Sequence, residues 1–194
     1  MRRQSGILLH ISSLPSRYGI GSLGQAAYQF VDFLEASGQT LWQVLPIGVT
    51  GFGDSPYQSF STFAGNPYFI DLEELLEQDL LEPAEVQAAS QNGSVDRVEY
   101  GMLFETRLPL LKKAALRGYG RYGAEEQDFY RENEDWLPDY SLFMALKKHF
   151  SQKPYWEWPK EIRDREESAM EHYRELMPED FRSALFNQIL FHGE

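Results

Sequence analysis

Between Gly6 and Pro46 the chain sets two short apolar runs around one amphipathic stretch, and that order leaves few folds open. Gly6-Ile7-Leu8-Leu9-His10-Ile11, bounded by Ser12-Ser13-Leu14-Pro15, predicts a buried strand. Ala26 to Ser37 carries Ala27, Phe30, Val31 and Leu34 at helical spacing and stops at Gly38, which predicts a helix with one apolar face. Leu41-Trp42-Gln43-Val44-Leu45-Pro46 predicts a second buried strand. Strand, helix and strand in so short a span make a βαβ unit, and such a crossover implies a parallel sheet and an α/β fold.

A long loop follows, Gly48 to Pro67, rich in Gly, Pro, Ser and aromatic residues, and Tyr68-Phe69-Ile70-Asp71-Leu72 closes it. Loops of this length without structure of their own are functional or disordered, and the aromatic content argues against disorder. From Leu72 onward the helical period takes over. Leu72, Leu75, Leu76 and Leu80 open a helix, and Pro83 opens another. Leu103, Leu108, Leu110 and Leu111 mark a third that Pro109 can bend. Further helices are expected over Glu125 to Trp136, Tyr140 to Phe150 and Glu179 to Phe191. Pro154-Tyr155-Trp156-Glu157-Trp158-Pro159 is an aromatic turn bounded by prolines, read as a packing plug in preference to an exposed contact. The division expected is 1–72 for the strands, helix and loop, 73–175 for a mostly helical insertion, and 176–194 for the start of a further helix.

Composition removes several kinds of chemistry. The chain of 194 residues has no cysteine, so disulfides, thiolate nucleophiles and cysteine-bound zinc are excluded. Its four histidines, His10, His149, His172 and His192, show no metal-ligand spacing, so no metal site is expected. His10, in an apolar strand, reads as a satisfied core residue. A net charge of −12 without a Lys/Arg cluster argues against a nucleic-acid partner and against an anionic membrane. The opening apolar run is too short for a signal peptide, so a cytoplasmic location is expected. The 13 Phe, 11 Tyr and 4 Trp are more than usual; most are expected in the core, with some left for a cleft that stacks sugar rings.

One motif misleads. Gly19-Ile20-Gly21-Ser22-Leu23-Gly24 fits the dinucleotide pattern, but Ser12 to Tyr18 separates it from the strand, and the second strand ends without a carboxylate for the ribose. These glycines are read as loop geometry. The long loop is more informative: Gly53-Asp54-Ser55-Pro56-Tyr57-Gln58 gathers a carboxylate, a hydroxyl, a rigid proline, a phenol and an amide. Sugar recognition uses that mixture, with fixed polar groups for hydroxyls and an aromatic face for the pyranose C–H surface. Phe52, Phe60, Phe63 and Tyr68 could wall such a cleft, or the loop could be packed by its own rings.

Beyond the composition, Gly53-Asp54-Ser55-Pro56-Tyr57-Gln58-Ser59-Phe60-Ser61, Phe63-Ala64-Gly65-Asn66-Pro67-Tyr68 and Ile70-Asp71-Leu72 resemble the signature of the amylomaltases, 4-α-glucanotransferases of the α-amylase clan. Gly6-Ile7-Leu8-Leu9-His10, Ser13-Leu14-Pro15 and Trp42-Gln43-Val44-Leu45-Pro46 are similar too, and Tyr140 to Leu146 and Gln188 to Phe191 more weakly. The resemblance implies the N-terminal part of a (β/α)₈ TIM barrel with mostly helical insertions. It implies an enzyme that moves a segment of an α-1,4-glucan to the 4-hydroxyl of an acceptor glucose or glucan by retaining double displacement, with no cofactor. By position, Tyr57 corresponds to the tyrosine against the sugar at the cleavage point. Ser55 and Asp54 correspond to its neighbours at glucan subsites, and Gln58 and Asn66 to further contacts or braces. Phe52 and Phe104 stand where a tyrosine can line an accessory glucan groove; they keep the ring and lose the hydroxyl. The clan's nucleophile follows an arginine two residues earlier, and no Arg-x-Asp occurs in this sequence. The catalytic carboxylates are therefore expected beyond Glu194, and the chain alone is expected to be inactive. A hydrolase of the same clan and a non-catalytic glucan-binding module remain alternatives, and the sequence leaves the oligomeric state open.

Overall fold

The computed structural model describes residues 3–90 and 96–194, and these form two compact units, Met1–Ala114 with Leu190–Glu194 and Ala115–Ile189. In the first unit, β1 (Gly6–Leu8) and β2 (Leu41–Gln43) pair in parallel, with Gly6 opposite Leu41, Ile7 opposite Trp42 and Leu8 opposite Gln43. Thr40 N donates to Ser5 O at 2.9 Å and Leu9 N to Gln43 O at 3.0 Å, so pairing runs past both ends of the strands. The indole Nε1 of Trp42 donates to Leu9 O at 2.7 Å. Between the strands runs α1 (Gln25–Ala36). It starts at Gly24, where no side chain caps the helix and any Cβ would overlap the carboxylate of Asp71.

The βαβ unit is present, and among the described residues its strands are covered on one face. Leu8 is 58% and Leu41 51% exposed. Side chains alternate across a strand, and only Ile7 and Trp42 share the half-covered face, where Phe30 of α1 meets Trp42 with ring centroids 4.9 Å apart. Val31, expected on the inner face of α1, is exposed as well.

Asp71 ends the segment after the loop by capping α2 (Leu72–Glu77); its carboxylate accepts from the N–H groups of Glu73 and Glu74. α3 (Pro83–Ser90) follows, then α4 (Tyr100–Gly118), which carries the chain from the first unit into the second. α4 is one helix through Pro109, where only the bond to the Glu105 carbonyl is forgone. In the first unit its buried stripe is Leu103, Arg107, Leu111 and Ala114.

The second unit holds α5 (Ala124–Glu132), α6 (Leu137–His149), a 3₁₀ turn over Tyr155–Glu157, α7 (Lys160–Arg163), α8 (Glu167–Leu176) and most of α9 (Pro178–Gly193). Leu142, Ala145, Leu146, Trp158, Ile162 and Met177 form its core, flanked by Phe143, Phe150 and Tyr173. The helix expected to reach Trp136 stops at Glu132, because Trp136 binds Asn133 Oδ1 at 2.9 Å and opens α6 instead. The aromatic residues are less internal than expected. Tyr18, Tyr68, Phe69, Tyr140, Trp158, Phe186 and Phe191 are buried, whereas Tyr28, Phe33, Tyr57, Phe60, Phe63, Phe104, Tyr119, Tyr130, Tyr155 and Trp156 are exposed.

Candidate functional site

The long loop is closed at its base. Gly48 and Gly65 form an antiparallel bridge, and Asn66 N donates to Ile47 O at 2.9 Å. The ring of Phe191 lies so close over Gly65 that a Cβ there would overlap it. Inside the loop the serines bend the backbone. Ser55 Oγ accepts from Tyr57 N at 3.3 Å, and Ser55 O accepts from Gln58 N at 3.2 Å. Ser61 Oγ accepts from Phe63 N and Ala64 N at 3.3 and 3.0 Å, while Ser59 Oγ donates to Ser61 O at 2.7 Å. Hydroxyl-closed turns of this kind fix a loop without burying it.

The fixed backbone presents its rings to solvent. Tyr57 is 71% exposed, Phe63 62% and Phe60 43%. Asp54 and Gln58 are exposed beside Tyr57, and Ser55 is half-buried. Gly53 and Asp54 both take left-handed backbone, with φ of 75° and 56°. Asn66 lies elsewhere: it is 1% exposed and its Oδ1 accepts from Tyr68 N at 3.1 Å, while its Nδ2 has no partner among the described residues. Phe104 is half exposed on α4, and the side chain of Phe52 lies outside the described residues.

Tyr100 was not singled out by the sequence. Its ring meets that of Tyr68 edge-on, with centroids 5.8 Å apart. Burial raises both phenols, Tyr68 to about 12, and the carboxylate of Asp54 adds to the rise in each. Asp54 thus stands within electrostatic reach of two phenols that stay protonated and able to donate at neutral pH. Tyr100 and Phe104 share a face of α4 at i, i+4, the one sequence signal that could have found it.

Beneath the loop's exit lies a charged network that periodicity did not reveal. Arg107, 2% exposed, donates from Nη2 to the carbonyl of Ile70, and its Nε and Nη1 have no partner among the described residues. Burial lowers its pKa to about 10, partly offset by Asp71 and Glu194. Asp71 also accepts from Ser22 Oγ, and its N–H donates to Glu194 Oε1 at 2.7 Å. Burial pushes the Glu194 carboxyl up to about 8. Tyr18 and Arg17 both donate to Glu73. His10 is half-buried edge-on to Phe69 at 5.4 Å, its pKa lowered by burial; contrary to expectation, its Nδ1 has no partner among the described residues.

This arrangement can hold a neutral polyhydroxylated ligand, with exposed rings for its C–H faces and a fixed carboxylate and hydroxyls for its oxygens. It supplies one loop carboxylate, Asp54, where glycosidic cleavage needs two. Among the described residues no group of His, Cys, Asp or Glu could hold a metal ion, and no helix is long and apolar enough to cross a membrane.

Comparison with known proteins adds to this geometry. Residues 9–194 match the family of 4-alpha-glucanotransferases. The chain is 47% identical over 178 residues to the 4-alpha-glucanotransferase of Streptococcus pneumoniae, covering 91% of this chain and 35% of that protein. It is 44% identical over 194 residues to that of Thermus thermophilus, covering 97% and 38%. Among solved structures, amylomaltase from Streptococcus agalactiae in complex with acarbose superposes with a TM-score of 0.94 at 42% identity, over 99% of this chain and 39% of that one. The amylomaltase of Corynebacterium glutamicum, at 18% identity and a TM-score of 0.73 over 98% of this chain and 27% of that one, shares the fold. The chain thus spans little more than a third of the length of these curated relatives. Its fold is the N-terminal part of a (β/α)₈ barrel with mostly helical insertions, as the resemblance implied.

Proposed function

Because the chain belongs to the 4-alpha-glucanotransferase family, we propose that it supplies part of the substrate cleft of an enzyme that moves α-1,4-glucan segments onto the 4-hydroxyl of an acceptor glucose or glucan. The observation that carries this is the exposed Tyr57, held on a loop whose turns its own serines close. In this reading Tyr57 stacks on a glucose ring, and Asp54, Ser55 and Gln58 meet hydroxyls. Asn66 braces the loop from beneath, and Phe104 and Phe52 offer rings to an accessory stretch of glucan. A preset loop orients the scissile bond without ordering cost at each turnover.

The chemistry is retaining double displacement. A carboxylate attacks the anomeric carbon, an acid protonates the departing oxygen, and the acceptor 4-hydroxyl then attacks the glycosyl-enzyme while that residue acts as base. We place those carboxylates outside residues 1–194, since the nucleophile's Arg-x-Asp does not occur within them. The reaction requires no cofactor, and the proposed location is the cytoplasm.

The test is a maltotriose disproportionation assay, run on this chain and on a longer enzyme that contains it. The chain alone is expected to give no products and the longer enzyme glucose plus longer oligomers. In the longer enzyme Tyr57→Ala is expected to lower kcat/KM by roughly ten- to a hundredfold, the loss of one buried aromatic contact, with Tyr57→Phe largely retained. Turnover by the chain alone would overturn the placement of the carboxylates. An unchanged Tyr57→Ala would overturn the role of the loop.

A further inference from the structure

The aromatic turn of the second unit is split in two by the structure. Trp158 is the packing residue: it is buried, with ring centroids 5.5 Å from those of Phe143 and Phe150. Tyr155 and Trp156, by contrast, are 56% and 64% exposed. The backbone under them is pinned. Glu157 N donates to Pro154 O at 3.0 Å and Trp158 N to Tyr155 O at 3.1 Å. From the sides, Arg163 Nη1 donates to Trp156 O at 3.1 Å, Trp158 Nε1 to Lys153 O at 3.2 Å, and Lys147 Nζ to Gln152 O at 2.7 Å. Pro154 and Pro159 fix φ at −64° and −51°. Two large rings are therefore held in solvent on a rigid mount.

From this we infer that Tyr155 and Trp156 form a stacking platform for an α-1,4-glucan chain, a second glucan contact besides the loop of Tyr57. The inference rests on the glucan reading proposed above, and area and geometry select the occupant. Aromatic side chains offer on the order of 150–250 Å² each, so the exposed parts of this pair come to roughly 250 Å². A stable protein interface needs about 800 Å² per partner. The neighbours in sequence, Lys153, Glu157, Lys160, Glu161 and Arg163, are exposed and charged, so the two rings are the large apolar side chains this turn exposes. The pair has the size of one or two sugar rings, with hydrogen-bonding groups beside it in the sequence. The ring planes stand at 77° with centroids 5.7 Å apart. An α-1,4-linked chain curves, so successive glucose units turn their C–H faces through an angle, and tilted rings can meet two of them. A straight β-1,4-linked chain presents faces in line and suits coplanar rings. Tyr and Trp each have only two side-chain torsions to immobilise, so little ordering cost opposes the contact.

The experiment is affinity electrophoresis of the chain through gels containing glycogen or amylose, with hydroxyethyl cellulose as the β-linked control. The wild type is run beside Trp156→Ala, Tyr155→Ala and Tyr57→Ala, and circular dichroism checks the fold. Retardation by the α-glucans is expected to weaken roughly three- to tenfold in Trp156→Ala and in Tyr155→Ala, one aromatic contact each. The β-glucan is expected to have no effect. Retardation that Tyr57→Ala abolishes and Trp156→Ala leaves intact would overturn the platform and keep the cleft reading. Equal retardation by α- and β-glucans would overturn the geometric argument. No retardation by any glucan would overturn the platform, and the disproportionation assay on the longer enzyme would then show whether the glucan reading survives without it.

Discussion

Asp71 joins the end of the candidate loop to the helix that follows, and its removal has a calculable cost. One carboxylate oxygen accepts from Glu73 N and Glu74 N at 2.8 and 3.3 Å, and the other accepts from the buried hydroxyl of Ser22. Asp71→Ala removes the cap, about 1 kcal/mol, and strands a hydroxyl, about 1–3 kcal/mol. The total is about 3 kcal/mol, before the loss of negative charge opposite Arg107 is counted. Asp71→Asn keeps an oxygen for the cap and an amide for Ser22, so about 1 kcal/mol is expected. Ser22→Ala leaves the cap whole and should fall between wild type and Asp71→Ala. Urea unfolding followed by circular dichroism reads the order; with slopes of about 2 kcal/mol per molar, Asp71→Ala should move the midpoint down by about 1.5 M. Hydrogen exchange at the Glu73 and Glu74 amides localises the effect, since both should lose protection in Asp71→Ala and keep it in Ser22→Ala. If Asp71→Asn proves as costly as Asp71→Ala, the charge facing Arg107 dominates and the cap argument is refuted.

Glu194 and the second-unit tryptophans give two further expectations. Burial raises the Glu194 carboxyl from 4.5 to about 8, so the fold favours its protonated form. Its contribution is therefore fully present below the unfolded value and is lost as pH rises towards 8, at up to about 1.4 kcal/mol per pH unit. Thermal unfolding from pH 5 to 8 should show stability falling, and Glu194→Gln should flatten the slope; equal slopes in the two proteins would count against this. Trp158→Ala should cost about 3–5 kcal/mol and lower Tm by about 10 °C, while Trp156→Ala should stay within about 0.5 kcal/mol of wild type. Similar losses in scanning calorimetry would mean that the turn is not divided as described.

The βαβ unit was legible because strand runs and helical spacing are local properties of the sequence. Burial of its strands was not, because burial depends on what covers a face. Leu8 and Leu41 have strand character, and within these 194 residues, little more than a third of the relatives' length, only the face of Ile7 and Trp42 is covered. The loop could be located from its composition, yet the placement of its residues could not. Tyr57, Asp54 and Gln58 reach solvent while Asn66 turns inward, and neighbours in sequence gave no sign of that difference. Arg107 went unnoticed because it occupies an apolar position in the stripe of Leu103 and Leu111, where a periodicity count registers a charge as a gap. Tyr100 went unnoticed because its partners, Tyr68 and Asp54, are distant in sequence. Helix ends moved where side chains bind backbone or one another, at Asp71 and at Trp136, which hydropathy does not register.

The ring of Phe191 over Gly65 ties two codons together. Every single-base change of a glycine codon that replaces glycine by another amino acid gives a residue with a Cβ, and at position 65 each of these meets that ring. The site therefore has no one-step amino-acid replacement that leaves the base of the loop undisturbed. Escape runs through position 191 first, where a side chain without carbon at the ring's Cγ and Cδ positions has to come in before a Cβ fits. Lineages that have lost this glycine should be those in which the aromatic residue on α9 had already been replaced.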